Sequence, residues 1–379
     1  MTKNLVIGLN SGTSFDGVDA SLVKFSSDNK FKFIDGIIYE YPNRVKEKIR
    51  DVISGNIHST SLLKELSQLN FLLGEVFADA ALKIIKKNKL RKKDILLIAS
   101  HGQTVFHHPD IEHIGSYKVR STLQIGESSV ISARTGIDVI SNFREADIAV
   151  GGQGAPLISF MDSVCFGRSK NPKAILNIGG IANVTVVGKN ITPIAFDIGP
   201  GNALIDLIAR DLFKKELDLS GAFARKGNIN YKIIEIALKD SFFKRKPPKT
   251  TGKEYFNFSF IRKYFSGIKR KEDKIATVTF FTAKVIQQAF NDFIFPKYKV
   301  NEIISSGGGV KNKTLMNHLI KLIPSVRFSN SDKYGLPYEY KEAILFALLG
   351  YTCKKKIRNN VPFCTGAKKK AILGKMTNV

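Results

Sequence analysis

Cysteine is scarce in this 379-residue chain: Cys165, Cys353 and Cys364 are odd in number and lack metal-ligand spacing. That argues against a disulfide framework or a cysteine-built zinc site and predicts free thiols in a reducing compartment. No apolar run approaches the roughly 18 residues of a membrane span. Met1-Thr2-Lys3-Asn4 leads straight into a β-like run, so no signal peptide and a cytoplasmic location are expected. Two nucleotide signatures are also missing, G-x-x-x-x-G-K-[ST] and a strand-bound G-x-G-x-x-G with its acidic partner. Their absence speaks against P-loop and Rossmann chemistry. Acidic side chains are few, 33 against 59 lysines and arginines, for a net charge of +26. A field of that sign attracts anions. The basic clusters, however, are scattered over Lys86-Lys87, Arg91-Lys92-Lys93, Lys244-Arg245-Lys246, Lys354-Lys355-Lys356 and Lys368-Lys369-Lys370. No recognition helix, zinc knuckle or aromatic RNA-binding motif accompanies them, so a lysine-rich surface is expected, with neither nucleic acid nor membrane as partner.

Glycine, by contrast, falls in three informative places. Val6 to Val23 reads as a strand, a turn of small polar residues (Ser11-Gly12-Thr13-Ser14-Phe15-Asp16-Gly17), and a second strand. Ala174 to Val187 repeats the pattern around Gly179-Gly180, and Gly307-Gly308-Gly309 follows the strand-like Glu302-Ile303-Ile304. Glycine lets backbone N–H groups approach an anion, and serine or threonine adds hydroxyl donors. Any one of these turns alone is more often a structural feature. Their repetition suggests two jaws on one polyphosphate, with a nucleotide in a cleft between two related domains.

A chain of this length exceeds one hydrophobic core, so two α/β domains are expected, residues 1–170 and 171–339, with about 340–379 packing back on the first. Phe31 to Tyr39 reads as a third strand. Residues 42–90 have helical spacing, with Leu62, Leu63, Leu66, Leu69, Leu73 and Val76 on one face. Asp94 to Ala99 reads as a short buried strand delivering Ser100-His101-Gly102-Gln103-Thr104. His107, His108 and His113 fall near Pro109 and Gly115, in what reads as a solvated loop. The polar, glycine-rich stretch 142–156 is long for a loop and so reads as functional. The strand Ile194-Ala195-Phe196 precedes the turn Asp197 to Asn202 and a helix from Ala203. Residues 241–257 read as a basic, proline-bearing insertion, and helices are predicted over 273–293 and 339–356.

Taken in order, the motifs closely resemble the anhydro-N-acetylmuramic acid kinases of the actin-like, hexokinase-like ATPase superfamily. The matching blocks are Ser11 to Asp19, Ser100 to Thr104, Thr122 to Gly126, Asn142-Phe143-Arg144, Gly151 to Leu157 and Leu176 to Asn183. Phe196 to Asn202, Pro247 to Gly252, Gly307-Gly308-Gly309, Glu342-Ala343 and Thr365-Gly366-Ala367 complete them. The resemblance implies a duplicated, ribonuclease H-like fold and a reaction of 1,6-anhydro-N-acetylmuramic acid, ATP and water that yields N-acetylmuramic acid 6-phosphate. ATP and Mg²⁺ are the implied cofactors, and a homodimer is compatible with it. Three departures stand out: Phe15 where leucine is usual, Ile198 where threonine is usual, and Val310-Lys311-Asn312 where Ala-His-Asn is usual. Ile198 removes a hydroxyl beside Asp197, which could weaken a phosphate or metal contact.

By that resemblance Gly12, Thr13, Ser14, Phe15, Asp16, Gly17, Val18 and Asp19 form the ATP loop, and Gly307, Gly308 and Gly309 let adenosine lie against the backbone. Asp16 and Asp19 would repel phosphate directly, so they act through magnesium or its waters, or else close an Asx-type turn. Asp197 is the candidate base that activates water; its alternative is to cap the following helix. Arg144 suits the lactyl carboxylate of the sugar. Gln103 and His101 are candidates for the sugar hydroxyls or acetamide, His101 also for a structural hydrogen bond. Glu342 is either a sugar ligand or a helix-terminus charge. The competing functions are another sugar or acetate-type kinase of the superfamily, and an actin-like ATPase with a protein partner. If the lysine excess is only a surface property, replacing Lys354-Lys355-Lys356 or Lys368-Lys369-Lys370 with glutamines leaves turnover unchanged in an ADP-release assay.

Overall fold

A computed structural model describes residues 4–12, 15–26, 30–54, 59–247, 249–252 and 254–378. The chain divides into two compact units, residues 1–161 with 335–379, and residues 162–334.

In the first unit, β1 (Leu5–Ser11), β2 (Gly17–Phe25) and β3 (Phe31–Glu40) form an antiparallel meander. On the other side of β1 lies β4 (Ile95–Ile114), parallel to it. β5 (Tyr117–Ile125) folds back on β4 as a hairpin. β6 (Val139–Ser141) runs parallel to β4, and a strand at Lys375–Thr377 closes that edge. The strand side chains alternate between faces. Ile7 and Leu9 pack with the helices Asn43–Ser54 and Ser59–Lys87 through Val45, Ile49, Leu69, Leu73 and Phe77. Gly8 faces the other way, onto the helix Lys341–Lys354: a Cβ there would stand 1.9 Å from Ala343 O and 2.8 Å from Ala347 N. Gly350 of that helix returns the fit against Ala99.

The second unit repeats the order. β7 (Lys173–Ile178), β8 (Ile181–Val187) and β9 (Ile194–Pro200) form the meander, with β10 (Glu302–Ser306) and β11 (Arg327–Asn330) parallel on the far side of β7. Its core is rich in phenylalanine. Phe243, Phe260 and Phe265 gather on Phe281 of the helix Lys271–Ala289, and Phe242 stands edge-on to Phe256 at 5.6 Å. Such tilted and perpendicular contacts match the ring quadrupoles. Two meanders, each extended by two parallel strands, make a duplicated ribonuclease H-like, actin-like α/β fold.

Four local expectations give way to tertiary context. Leu63 is 79% exposed, because residues 62, 66, 69, 73 and 76 define the buried stripe and position 63 lies a further 100° round the helix. The strand expected at 94–99 continues to Ile114 because β5 pairs along it, so His107, His108 and His113 lie on a hairpin strand and not in a loop. The 142–156 stretch contains a helix, Phe143–Ala149, anchored by the fully buried Phe143. The 241–257 segment is seated by Phe242, Phe243 and Phe256, all buried, and its Lys249 is only 4% exposed.

The Gly8 contact gives a direct test. Gly8→Ala forces the helix Lys341–Lys354 off β1, and overpacking of this kind costs about 1–3 kcal/mol or more. The expected outcome is a lower unfolding midpoint in urea, with turnover falling as Glu342 moves with its helix.

Candidate active site

The first hairpin is held by side chains as well as by its ladder. Gly17 opens β2 where a Cβ would lie 2.3 Å from Tyr39 O, so only hydrogen fits. Phe15 takes a left-handed backbone (φ 59°) and sets its ring against the core, while Val18 is fully buried in it. Thr13 and Ser14 lie outside the described residues. Asp19 pairs across the ladder with Asn10, whose Nδ2 donates to Glu342 Oε2 at 2.8 Å. Burial, then the negative charges of Glu342, Asp16 and Glu339, push the Asp19 carboxyl up to about 7. Neighbouring carboxylates disfavour one another's ionisation, as burial does. Among the described residues, no three His, Cys, Asp or Glu side chains converge closely enough to hold a metal alone.

Gln103, fully buried, braces the same turn. Its Oε1 accepts from Ser11 Oγ at 2.7 Å, and its Nε2 donates to Gly12 O at 3.3 Å and Thr104 O at 3.2 Å. The amide is therefore committed to protein partners. His101 stacks on Phe346 with centroids 4.3 Å apart, and its Nδ1 lies 3.1 Å from Gly102 O. Arg144 Nε donates to His101 Nε2 at 2.9 Å, which requires the tautomer protonated on Nδ1. Burial and the adjacent guanidinium drive the His101 pKa well down, so the ring is neutral. Arg144 Nη1 donates to Gly154 O at 2.7 Å. Among the described residues its Nη2 has no hydrogen-bond partner, so one edge of the fork stays available. Burial lowers the Arg144 pKa, while Glu342, Glu145 and Asp147 sustain its charge.

Beneath Arg144, Asp147 is fully buried and saturated. It accepts from Gly154 N, Asn360 Nδ2 and Thr365 Oγ1 at 2.8–3.0 Å. A buried carboxylate without such donors would be expensive. These bonds fasten the glycine-rich turn to the 360–365 segment and so place the Gly154 carbonyl under Arg144.

In the second unit Asp197 lies within β9, opposite Asn183, and not in a turn. The helix Ala203–Phe213 begins six residues later with Asn202 at its N-cap position, so Asp197 does not cap it. Its backbone N–H donates to Lys249 O at 2.9 Å, and its Oδ2 accepts from Thr251 N at 3.0 Å. Among the described residues Oδ1 accepts nothing. Burial raises the carboxyl to about 6, opposed by the Thr251 N–H, raised further by Glu254 and lowered by Lys249. The neighbouring Ile198 lies on the opposite face of β9 and is fully buried in the core.

The three glycines after β10 differ in their surroundings. Gly307 (φ 85°) passes so close to Ile178 O and Asn177 Oδ1 that a Cβ would stand 2.7 Å from each. Gly309 packs on Ile178, its Cβ position 2.3 Å from Cγ2. Gly308 alone has room, its nearest neighbour being Asn202 Nδ2 at 3.8 Å. Nearby, Gly201 lets the β9 exit close on the β7–β8 turn, with Gly201 N and Asn202 N donating to Gly180 O and Gly179 O.

Two residues that shape these sites escape a reading of motifs, and a third, Lys249, sits in a matched block without a role assigned to it. Asp147 is an acid inside a glycine-rich stretch, Asn10 a polar residue ending an apolar strand, and Lys249 a lysine between a proline pair and two threonines. Each signal lies in the sequence, but none says which neighbour will satisfy the group.

A profile of the family described as anhydro-N-acetylmuramic acid kinase matches residues 4–379. Proteins bearing that name are similar along nearly their whole length. One from Caldanaerobacter subterraneus subsp. tengcongensis is 42% identical, over 99% of this chain and 97% of that protein. One from Clostridioides difficile is 40% identical and one from Francisella tularensis subsp. novicida 39%, each over 98% of this chain and 97% of the relative. With both sheet orders, the hairpin turn and the strand carboxylate in place, the chain belongs to the anhydro-N-acetylmuramic acid kinase family.

Proposed function

We propose that this kinase opens 1,6-anhydro-N-acetylmuramic acid with water and phosphorylates the released O6 from ATP, in the reuse of cell-wall amino sugars in the cytoplasm. The observation that carries the mechanism is the Asp197 carboxyl, raised to about 6, with one oxygen held by Thr251 N–H and the other without a partner among the described residues. A base of that strength is ionised at neutral pH yet accepts a proton readily. Asp197 Oδ1 takes a proton from water as the water oxygen bonds to the anomeric carbon. The bond from that carbon to O6 breaks, and O6 takes the γ-phosphoryl group as the bond to ADP breaks. The proton on Asp197 then returns to solvent. Because O6 leaves to phosphorus and not to a proton, no second carboxylic acid is needed, unlike in an ordinary inverting glycosidase.

The remaining roles belong to the same proposal. As the family resemblance implies, Gly12, Gly17 and the turn they bound, with Thr13 and Ser14, supply N–H and hydroxyl donors to the phosphates; Phe15 and Val18 pack against the core. Gln103 serves the site by bracing it. Asp16 and Asp19 offer hard oxygen donors to a magnesium ion reached through its waters, which would offset phosphate charge. The open face of Gly308 accepts the adenosine, while Gly307 and Gly309 permit the local backbone fit. Arg144 directs the free edge of its fork at the lactyl carboxylate, with His101 fixing its plane, and Glu342 faces the sugar hydroxyls.

Two outcomes are expected. Arg144→Lys keeps the charge but loses the fork and the bond to His101. A charge-assisted hydrogen bond contributes about 1.5–3 kcal/mol, so the sugar KM rises about tenfold or more while the ATP KM holds. Asp197→Asn lowers turnover by about 10²–10⁴-fold with binding retained. In the unmodified enzyme kcat falls as pH drops through about 6, because the base must be ionised. ¹⁸O from labelled water appears at the anomeric carbon before mutarotation; its absence there, or near-normal Asn activity, would refute the mechanism.

A further inference from the structure

Lys249 is the most deeply buried lysine near the candidate base, and the base assignment gives it no direct task. Its backbone lies against β9: Lys249 O accepts from Asp197 N, and two residues on Thr251 N donates to Asp197 Oδ2. The segment thus grips Asp197 on both sides, backbone and carboxylate. The Lys249 side chain, 4% exposed, runs inward from this grip. Its Nζ lies 3.4 Å from Phe242 O and from Phe243 O, over the Phe242 ring at 4.7 Å and the Phe293 ring at 5.2 Å. Two long carbonyl contacts and two ring faces hold an ammonium that has left water. Cation–π attraction is strongest in such desolvated settings.

We propose that Lys249 is a positioning residue for Asp197: locked into the Phe242–Phe293 cage, it fixes the strand-like segment whose Thr251 N–H orients the carboxylate, and its charge favours the ionised base. The proposal rests on Asp197 being the base. A cheaper way to fix the segment would be an apolar side chain, since burying a charge costs free energy. What the charge adds is its field at Asp197. The charged groups facing the pair are few. Arg245 acts on Lys249 from its own segment and Asp292 from the π-helical segment Phe290–Ile294 that carries Phe293, and Glu254 acts on Asp197. Burial and Arg245 bring Lys249 down to about 8, against the pull of Asp292 and Asp197, so it remains a cation at neutral pH. Glu254 opposes ionisation of Asp197 and Lys249 supports it.

The sign of the test follows. Without the cation, Asp197 protonates more easily, so the acid limb of kcat moves to higher pH. Lys249→Met keeps a long chain for the aromatic cage and removes the charge. The expected result is an acid limb shifted upward by about half a pH unit or more, kcat at pH 7 lowered roughly tenfold, and KM for sugar and ATP unchanged. Lys249→Gln keeps donors for the Phe242 and Phe243 carbonyls and is the second arm should the thioether loosen the fold; it shifts the limb in the same direction. Lys249→Arg, which keeps the charge, leaves the limb in place. A lower unfolding midpoint with an unmoved acid limb in both neutral variants would reduce Lys249 to a packing element and overturn the proposal. Failure of the base assignment reads out separately, as near-normal turnover in Asp197→Asn.

Discussion

Backbone lying directly on backbone, where a glycine supplies only hydrogen, is the constraint on which both units depend. At Gly8 it lets the helix Lys341–Lys354 rest on β1 with Ala343 O at a distance no Cβ would allow. That contact sets the first turn of the helix, hence Glu342, beside Asn10 at the end of β1 and Asp19 on β2. In the second unit Gly201 and Gly307 do the same, closing the β9 exit on the β7–β8 turn and the β10 exit on the backbone of Ile178. Several of the glycines in the candidate ligand turns therefore also serve packing, while Gly308 keeps open space beside it.

On this frame each unit carries buried charge, treated in two ways. Asp147 and Glu302 are satisfied structural carboxylates. Glu302 meets Lys173 at 2.6 Å, Arg327 at 3.0 Å and the Tyr334 hydroxyl at 2.7 Å, and the surrounding bonds draw its pKa down to about 2 against its burial. Among the described residues Asp19 and Asp197 are left short of partners, and they are raised to about 7 and about 6. Strongly perturbed carboxyls with an open oxygen are the usual mark of working groups, and saturated ones of scaffolding. His101 belongs with the scaffold: buried, neutral and stacked, it spends Nε2 on holding Arg144.

Much of the fold is written in local pattern. The three β-like runs around each glycine turn, the strand at Glu302 and the helices expected over 273–293 and 339–356, found at 271–289 and 341–354, follow from period and composition, and the ordered blocks identify the family. The chemistry-bearing types, an aspartate beside a glycine turn, an arginine after Asn142-Phe143 and a glycine hairpin, are equally visible. Sequence by itself determined these because they depend on neighbours along the chain. Tertiary structure alone decided that β4 runs on past His101 to pair with β5, that Leu63 faces water, and that Gln103 spends its amide on Ser11 and Gly12. It also decided that Asp197 lies within a strand gripped by residues 249–251, and that Lys249 of a basic segment is caged under Phe242 and Phe293. Each of these rests on partners far away in sequence, where burial and hydrogen-bond satisfaction, not propensity, choose which side of a residue is used.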